Sequence, residues 1–568
     1  MNSIPTAWHQ TYSLFSQGLG VSALIAALPI FTLLFLLGVL RKAAWLAGIS
    51  GLVVAFVLAT AGYGMPVRLA VSAAAYGGAF GVFPISWIIF WAIALFRVTV
   101  ETGKFEIIRD SIGRLTPDPR LQALLVAFAF GAFLEGGAGF GTPVAVAATM
   151  LTGMGFSAFS ASAICLLANT APVAFGSIGI PIITLAGTTG LPLNKLSADV
   201  GLMCSPIAFI LPVYLIIAMA GFKAISGIWL PALASGASFA IVQALVSAYI
   251  GPQLSAIFAA LASMAVLIAV IRFRDRKQTA GELTSEAEFA GTPGLDIRSV
   301  GTKEPVATAP ISAKTASSNT LPEILYAWVP YALLVTCVLL WGFAPIQKLL
   351  NKASSSVAWP FLNDLILRMP PVTSAPAPYH AVFTLNVLSA AGTACMVATF
   401  LTAFALRVSL PRFAKILAGV CRQLALPIAT VSLVLGVGFL MNYCGATATL
   451  GLAFASTGKS FPFFSPMLGL LGVFLTGSDT SSNALFGNLQ VVTATRLGLD
   501  PVLMAAANAA GGVMGKMISL QTIAVAAAAT GLAVSEQARL FRFTLKHSIF
   551  LAFLVGCLAV FYSYGLHI

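Results

Sequence analysis

The feature that most constrains this chain is an apolar run, repeated along its length, about as long as a bilayer core is thick. Residues 21–40 carry no charge and are closed at once by Arg41 and Lys42. A helix needs about 20 apolar residues to cross the hydrocarbon. Comparable runs follow at 43–63, 80–100, 201–221, 228–249, 253–271, 324–343, 381–405, 424–443 and 548–565. Two more, 158–187 and 501–533, are too long for one straight helix; both carry Gly midway, and the first also Pro172 and Pro181. Only 8% of the residues are charged, against about 25% in a soluble domain, so the chain cannot wet a globular surface. The expected fold class is an all-α polytopic membrane protein of about 12 transmembrane helices, with the lipid bilayer as its solvent.

Orientation follows from the basic residues. The first twenty residues contain no Lys or Arg, so the first run reads as a retained helix rather than a signal peptide, whose basic residues precede its apolar core. Alternating the runs across the bilayer places 21 Lys and Arg on the side of Arg41 and Lys42. Seven fall on the other side: Arg68, Lys195, Lys348, Lys352, Arg368, Lys459 and Arg496. The positive-inside rule makes the richer side cytoplasmic and both termini periplasmic. It also accounts for the net charge of +13 without a nucleic-acid partner. The seven cysteines are scattered, odd in number and without a CxxC, which indicates neither a disulfide framework nor a zinc site. His9, His380, His547 and His567 form no cluster, so no metal and no cofactor are expected.

Two apolar stretches are too short to cross. Residues 121–134 and 143–154 flank the turn Glu135-Gly-Gly-Ala-Gly-Phe-Gly-Thr142, and residues 461–475 and 484–495 flank Thr476-Gly-Ser-Asp-Thr-Ser-Ser-Asn483. Irregular backbone at membrane depth persists only where protein or a water-filled cavity surrounds it. Both stretches therefore read as re-entrant hairpins, 121–156 and 461–495. The segment 272–322, with seven basic and six acidic residues and no apolar period, reads as a loosely ordered cytoplasmic linker.

The linker separates two similar halves, 1–271 and 323–568. Gly131-x-Phe133-Leu134-x-Gly136 recurs as Gly472-x-Phe474-Leu475-x-Gly477, and Ala168-Asn169 recurs as Ala507-Asn508, each Asn followed seven residues on by Gly176 or Gly515. Four basic residues precede the first hairpin, Lys104, Arg109, Arg114 and Arg120, and only Lys459 precedes the second. The two halves thus lie in opposite orientation, the first with an extra helix pair at 228–271. Inverted repeats with interrupted helices meeting at mid-bilayer are an architecture of secondary transporters.

Within the apolar segments three charges stand out: Glu135 and Asp479 in the hairpin turns, and Lys516 deep in a span. Charge at that depth is costly and marks a functional candidate. Asp479 and Lys516 read either as working groups or as a buried ion pair that only holds hairpin to helix. Glu135 has no basic partner in its own half. A lone carboxyl in a low-dielectric turn favours its protonated form, which suits a proton carrier; a neutral Glu bonded to the Gly-rich backbone is the structural reading. Around them stand Thr142, Ser478, Thr480, Ser481, Ser482 and Asn483 in the turns, and Asn169, Thr170 and Asn508 on the broken spans. The N–H groups and dipole ends of hairpin tips and broken helices fit a small carboxylate, while the hydroxyls and amides fit a substrate hydroxyl, a sodium ion, or interhelical packing.

Four of these stretches, Gly131-Ala-Phe-Leu-Glu-Gly-Gly-Ala-Gly-Phe-Gly-Thr-Pro143, Asn169-Thr-Ala-Pro-Val-Ala-Phe-Gly176, Leu475-Thr-Gly-Ser-Asp-Thr-Ser-Ser-Asn483 and Gly511-Gly-Val-Met-Gly-Lys-Met-Ile-Ser519, resemble the bacterial L-lactate permease family, which includes glycolate permeases. The resemblance runs through nearly all the membrane-embedded chain. It implies proton-coupled uptake of L-lactate, D-lactate or glycolate across the inner membrane by alternating access. The expected partners are then a small monocarboxylate and protons. On this reading Lys516 and the turn N–H groups take the carboxylate, and Asn169, Thr170, Ser478, Thr480, Ser481, Asn483, Asn508 and Thr142 supply polar contacts. Glu135 or Asp479 carries the proton, with Glu135 preferred because Lys516 should keep Asp479 ionised. A sodium-coupled carboxylate transporter and an anion channel are the rival readings; no nucleophile–base pair points to an enzyme.

Overall fold

The computed structural model describes residues 7–14, 18–40, 42–113, 115–139, 142–279 and 320–566. The expected linker at 272–322 therefore falls largely outside the described residues. Among those described, 11 helices are long and apolar enough to cross a membrane, or up to 13 if each bent pair forms one span. The 11 include Pro119–Gly137 and Ala446–Thr476, which contain arms of the two expected hairpins, and leave out the shorter helix Ala391–Ala405.

The first spans turn one face of large side chains outward and pack the opposite face inward. On the first span Leu24, Leu28, Phe31 and Phe35 are exposed at helical spacing, while Ala26, Ile30 and Leu33 are buried. Ile49, Val53 and Val57 repeat the pattern against Ala47, Gly51 and Ala55. Lipid tails are as apolar as Leu, so helix association depends on close packing, which small residues permit. Helix Phe461–Thr476 lies against helix Pro501–Lys516 in this way. A Cβ on Gly511 would stand 2.0 Å from the Pro466 carbonyl oxygen, and one on Gly469 1.8 Å from that of Asn508.

Both hairpins and both interrupted helices are present. The first hairpin runs through Pro119–Gly137 and returns as Thr142–Gly153. The second climbs as Phe461–Thr476, turns at Gly477 in the left-handed region, and returns as Asp479–Leu497. Residues 158–187 break into Ala158–Ala168 and Gly176–Thr189, with a bend of 68° between Ala158–Ala168 and Val173–Thr189. Residues 501–533 break after Lys516 and resume as Leu520–Thr530. The extra pair is Trp229–Tyr249 and Pro252–Thr279.

Two boundaries differ from the sequence reading. The run 381–405 contains a helix only at Ala391–Ala405. Its first part, Val382–Leu385, is a strand antiparallel to Ser355–Ala358. The Pro-rich approach, Pro370, Pro371, Pro376 and Pro378, cannot continue a helix, and Val and Phe suit an extended strand. The span expected at 424–443 is part of a 35-residue helix, Leu410–Cys444. A second small sheet joins Trp8–His9, parallel to Ile366–Arg368, with Ala377–Pro378. Just beyond, Gln10 donates to the carbonyls of Asn442 and Tyr443 at 2.9 and 2.8 Å.

Contacts between distant loops respect the division of basic residues. On the basic side, Arg120 donates to the Ala224 carbonyl, Arg274 to that of Gly227, and Arg97 to Gln423. On the other side, Lys195 pairs with Asp500 at 3.3 Å and Arg68 lies 3.6 Å over the Phe361 ring. The Tyr564 hydroxyl there donates to the Lys459 carbonyl. Each of these contacts joins segments that the charge pattern places on one face.

Candidate functional site

The hairpin tips and the breaks in the two long helices meet around a cavity of about 400 Å³. All three intramembrane charges, Glu135, Asp479 and Lys516, line it. Its wall extends to Trp45, close to the Lys42 turn, and to Pro427 and Thr430 in the basic-side half of helix Leu410–Cys444. The cavity therefore lies toward the basic face. Away from that face the packing is closed by polar contacts: the Asn483 amide donates to the Pro181 carbonyl at 3.2 Å, and the Asn442 amide to that of Thr188 at 3.4 Å.

Three helices begin at this cavity. Helix Asp479–Leu497 is capped by Ser478, whose hydroxyl accepts from the Ser481 N–H at 3.3 Å. Helix Leu520–Thr530 is capped by Ser519, and its first turn contributes Gln521 and Thr522 to the wall. The third lies within Gly176–Thr189 and becomes regular only at Ile180, after a left-handed turn at Ser177, Ile178 and Gly179; Gly176, Ser177 and Ile180 contribute to the wall. Helix N-termini carry partial positive charge and free N–H groups, which favours an anion between them.

The charges are not paired off. Lys516 forms no ion pair within 4 Å among the described residues; its Nζ donates to the Gly477 carbonyl at 3.2 Å. The buried Asp479–Lys516 bridge weighed from the sequence is thus not made. Nor is Glu135 confined to its own half, since Lys516 of the other half lines the same cavity. Glu135 Oε2 and Asp479 Oδ1, both on cavity-lining residues, are buried without hydrogen-bond partners. Buried polar atoms are nearly always satisfied, so a pair of unsatisfied ones around one cavity is a receptive site.

The sequence candidates divide into a wall and a backing. Ser478, Thr480 and Ser481 line the cavity. Asn483 and Asn508 are fully buried behind Asp479. Asn508 donates to Asn483 Oδ1 at 3.0 Å, Gln490 donates to Asn508 Oδ1 at 3.1 Å, and Asn483 reaches Asp479 Oδ2 at 3.5 Å. This relay holds the Asp479 carboxyl in place. Asn169 stands beside Glu135, whereas the Thr170 hydroxyl is turned to its own helix, donating to the Leu167 carbonyl at 2.7 Å. Thr142 opens its helix, and its side chain lies outside the described residues. No group of His, Cys, Asp and Glu able to hold a metal occurs among the described residues.

Four wall residues, Ser177, Thr476, Gln521 and Thr522, were not singled out in the sequence. For two of them the repeat carried the signal. Its register sets Thr476 opposite Glu135 on the hairpins, and Ser177 opposite Lys516 on the broken helices. The geometry repeats as well: the Ser177 hydroxyl donates to the Ala138 carbonyl of its own hairpin tip at 3.2 Å, as Lys516 does to Gly477.

A helical membrane bundle in which hairpin tips and broken helices enclose a charged cavity has the build of a secondary transporter. A family model described as L-lactate permease matches residues 22–565. An L-lactate permease of Bacillus subtilis (strain 168) is 43% identical, over 98% of each chain. Glycolate permease GlcA of Escherichia coli (strain K12) is 40% identical, again over 98% of each chain. A transporter from Alcanivorax borkumensis, YdaH, aligns in structure over 84% of this chain and 85% of its own at 13% identity, with a TM-score of 0.37. The chain belongs to the L-lactate permease family.

Proposed function

We propose that this protein is a carrier rather than an enzyme, taking up L-lactate, D-lactate and glycolate by proton symport with alternating access. It would work in a bacterial inner membrane with its basic face in the cytoplasm and both termini in the periplasm. The substrate class is supported by the names of relatives 43% and 40% identical over nearly the whole chain. The observation that carries the mechanism is the convergence of Glu135, Asp479 and Lys516 on one cavity.

The substrate carboxylate replaces the Gly477 carbonyl as partner of the Lys516 ammonium and takes N–H groups at the start of helix Asp479–Leu497. Asp479 is the first residue of that helix, where a carboxylate is stabilised by the dipole. Glu135 sits in the last turn of helix Gly131–Gly137, where negative charge gains nothing from it. Glu135 is therefore the proton carrier. With Asp479 and Lys516 both ionised, an anion entering alone adds an uncompensated charge to a buried site, at a cost of several kcal/mol. An anion entering with a proton on Glu135 leaves the charge of the site as it was when empty and deprotonated. One proton then accompanies each monocarboxylate.

Purified protein in proteoliposomes tests this with an imposed pH gradient. The native chain should accumulate labelled lactate, and Glu135→Gln should lose accumulation. If proton-driven accumulation survives unchanged in Glu135→Gln, Glu135 is not the carrier. Loss of uptake when sodium is replaced by choline favours sodium coupling, and inability to concentrate substrate favours a channel.

A further inference from the structure

Ser177 has a backbone that its residue type does not explain. It sits at φ 48° and ψ 51°, followed by Ile178 at φ 60° and Gly179 at φ 75°. Left-handed backbone costs a residue with a Cβ roughly 1–2 kcal/mol, and glycine occupies it freely. The flanking Gly176 and Gly179 are forced by space, since a Cβ on Gly176 would stand 2.8 Å from Glu135 Oε1 and one on Gly179 2.7 Å from the Pro252 backbone. Ser177 carries a side chain through the same strained turn, and that side chain lies on the cavity wall.

Its hydroxyl is committed in one direction. Ser177 Oγ donates its proton to the Ala138 carbonyl at 3.2 Å. The first hairpin tip is seated directly on it, as a Cβ on Gly139 would fall 1.9 Å from this oxygen. A serine hydroxyl has one proton and two acceptor lone pairs. With the proton spent on a carbonyl, Ser177 offers a ligand only acceptor capacity. Next to it, Gly176 abuts the Glu135 carboxyl, and its counterpart in the other half, Lys516, is a donor only.

We propose that Ser177 is a specificity-determining residue that accepts a hydrogen bond from the C2 hydroxyl of a substrate whose carboxylate is held by Lys516. This selects 2-hydroxy acids over 2-keto acids and over acids unsubstituted at C2. A keto oxygen brings a second acceptor against the Ser177 oxygen, and an unsubstituted carbon leaves that oxygen unpaired in a buried site. Sites built to bond a substrate hydroxyl reject analogues lacking it much more strongly than apolar pockets reject a missing methylene. The inference rests on the carrier function proposed above and adds to it how the second oxygen of the substrate is read.

The test is competition against labelled L-lactate uptake by unlabelled lactate, glycolate, pyruvate and propionate in proteoliposomes. In the native protein the two hydroxy acids should compete at least about tenfold better than pyruvate or propionate. Ser177→Gly is the informative variant, because glycine relaxes the left-handed turn and should leave the melting temperature equal or higher. It should bring the four competitors within about threefold of one another, chiefly by weakening lactate, which is the loss of about one neutral hydrogen bond. A folded, transporting Ser177→Gly protein with the native order and spacing of competitors overturns the assignment to Ser177 and leaves the carrier function standing. A native protein that takes up no 2-hydroxy acid overturns both.

Discussion

Gly511→Ala adds one methyl group at the contact that positions the site. That methyl would lie 2.0 Å from the Pro466 carbonyl oxygen, 2.4 Å from its Cα and 2.5 Å from its carbonyl carbon. All three are backbone atoms, so no rotamer change relieves the clash. Relieving the contact with the oxygen needs about 1 Å of separation between helices Phe461–Thr476 and Pro501–Lys516. Overpacking of this kind costs about 1–3 kcal/mol. Lys516 lies five residues along the displaced helix and bonds to Gly477 at the end of the other. A shift of about 1 Å at such a site lowers rates roughly a hundredfold. Gly419→Ala is the matched control, because that glycine is exposed on helix Leu410–Cys444 with nothing within 4 Å of an added Cβ. There alanine should stabilise the helix by up to about 1 kcal/mol. Thermal unfolding in detergent and uptake in proteoliposomes read both effects. If Gly511→Ala melts with Gly419→Ala and transports at the native rate, the close approach of these helices does not hold the site.

Three further outcomes follow from the same geometry. Lys516→Met should abolish lactate binding measured by ligand-induced thermal stabilisation, with Lys516→Arg recovering only part, since a guanidinium does not substitute freely for a compact ammonium; binding retained in Lys516→Met would remove Lys516 from the carboxylate site. Asn483→Leu strips Asp479 Oδ2 and the Asn508 amide of a partner, a cost of about 1–3 kcal/mol. It should lower the melting temperature and the rate together, and a loss of rate alone would instead make Asn483 a substrate contact. Cys421 is exposed, next to Arg422 on the basic side, so a membrane-impermeant maleimide should modify it in inside-out vesicles. Modification in right-side-out vesicles would reverse the proposed orientation.

Much of the architecture could be read from the chain because membranes make backbone hydrogen bonding obligatory. Short apolar stretches joined by Gly-rich polar turns pointed to hairpins, and two long apolar stretches with Gly inside them to broken helices. Lys516 was harder, because the sequence offered Asp479 as the near partner in the same half. The structure sets the ammonium on one cavity with carboxyls from both halves, a relation made by packing between helices far apart in sequence. For Ser177 the repeat register marked the position but not its backbone: a Ser-Ile pair in an apolar segment gives no sign of left-handed conformation. The strand at Val382–Leu385 was hidden because its apolar residues run on into the helix that begins at Ala391.

The parallel pairing of Trp8–His9 with Ile366–Arg368 bears on how the protein is made. The residues that pair are separated by the rest of the first half, the whole linker and helix Leu321–Gly342, so Trp8 and His9 have no partner until far later in synthesis. Gln10, Asn442 and Tyr443 extend that dependence, since the carbonyls that Gln10 binds arrive later still. Biogenesis must therefore keep the amino-terminal stretch free on its side of the membrane while the helices assemble. An affinity tag close to Trp8 would disturb this last stage of assembly, and one at the linker would not.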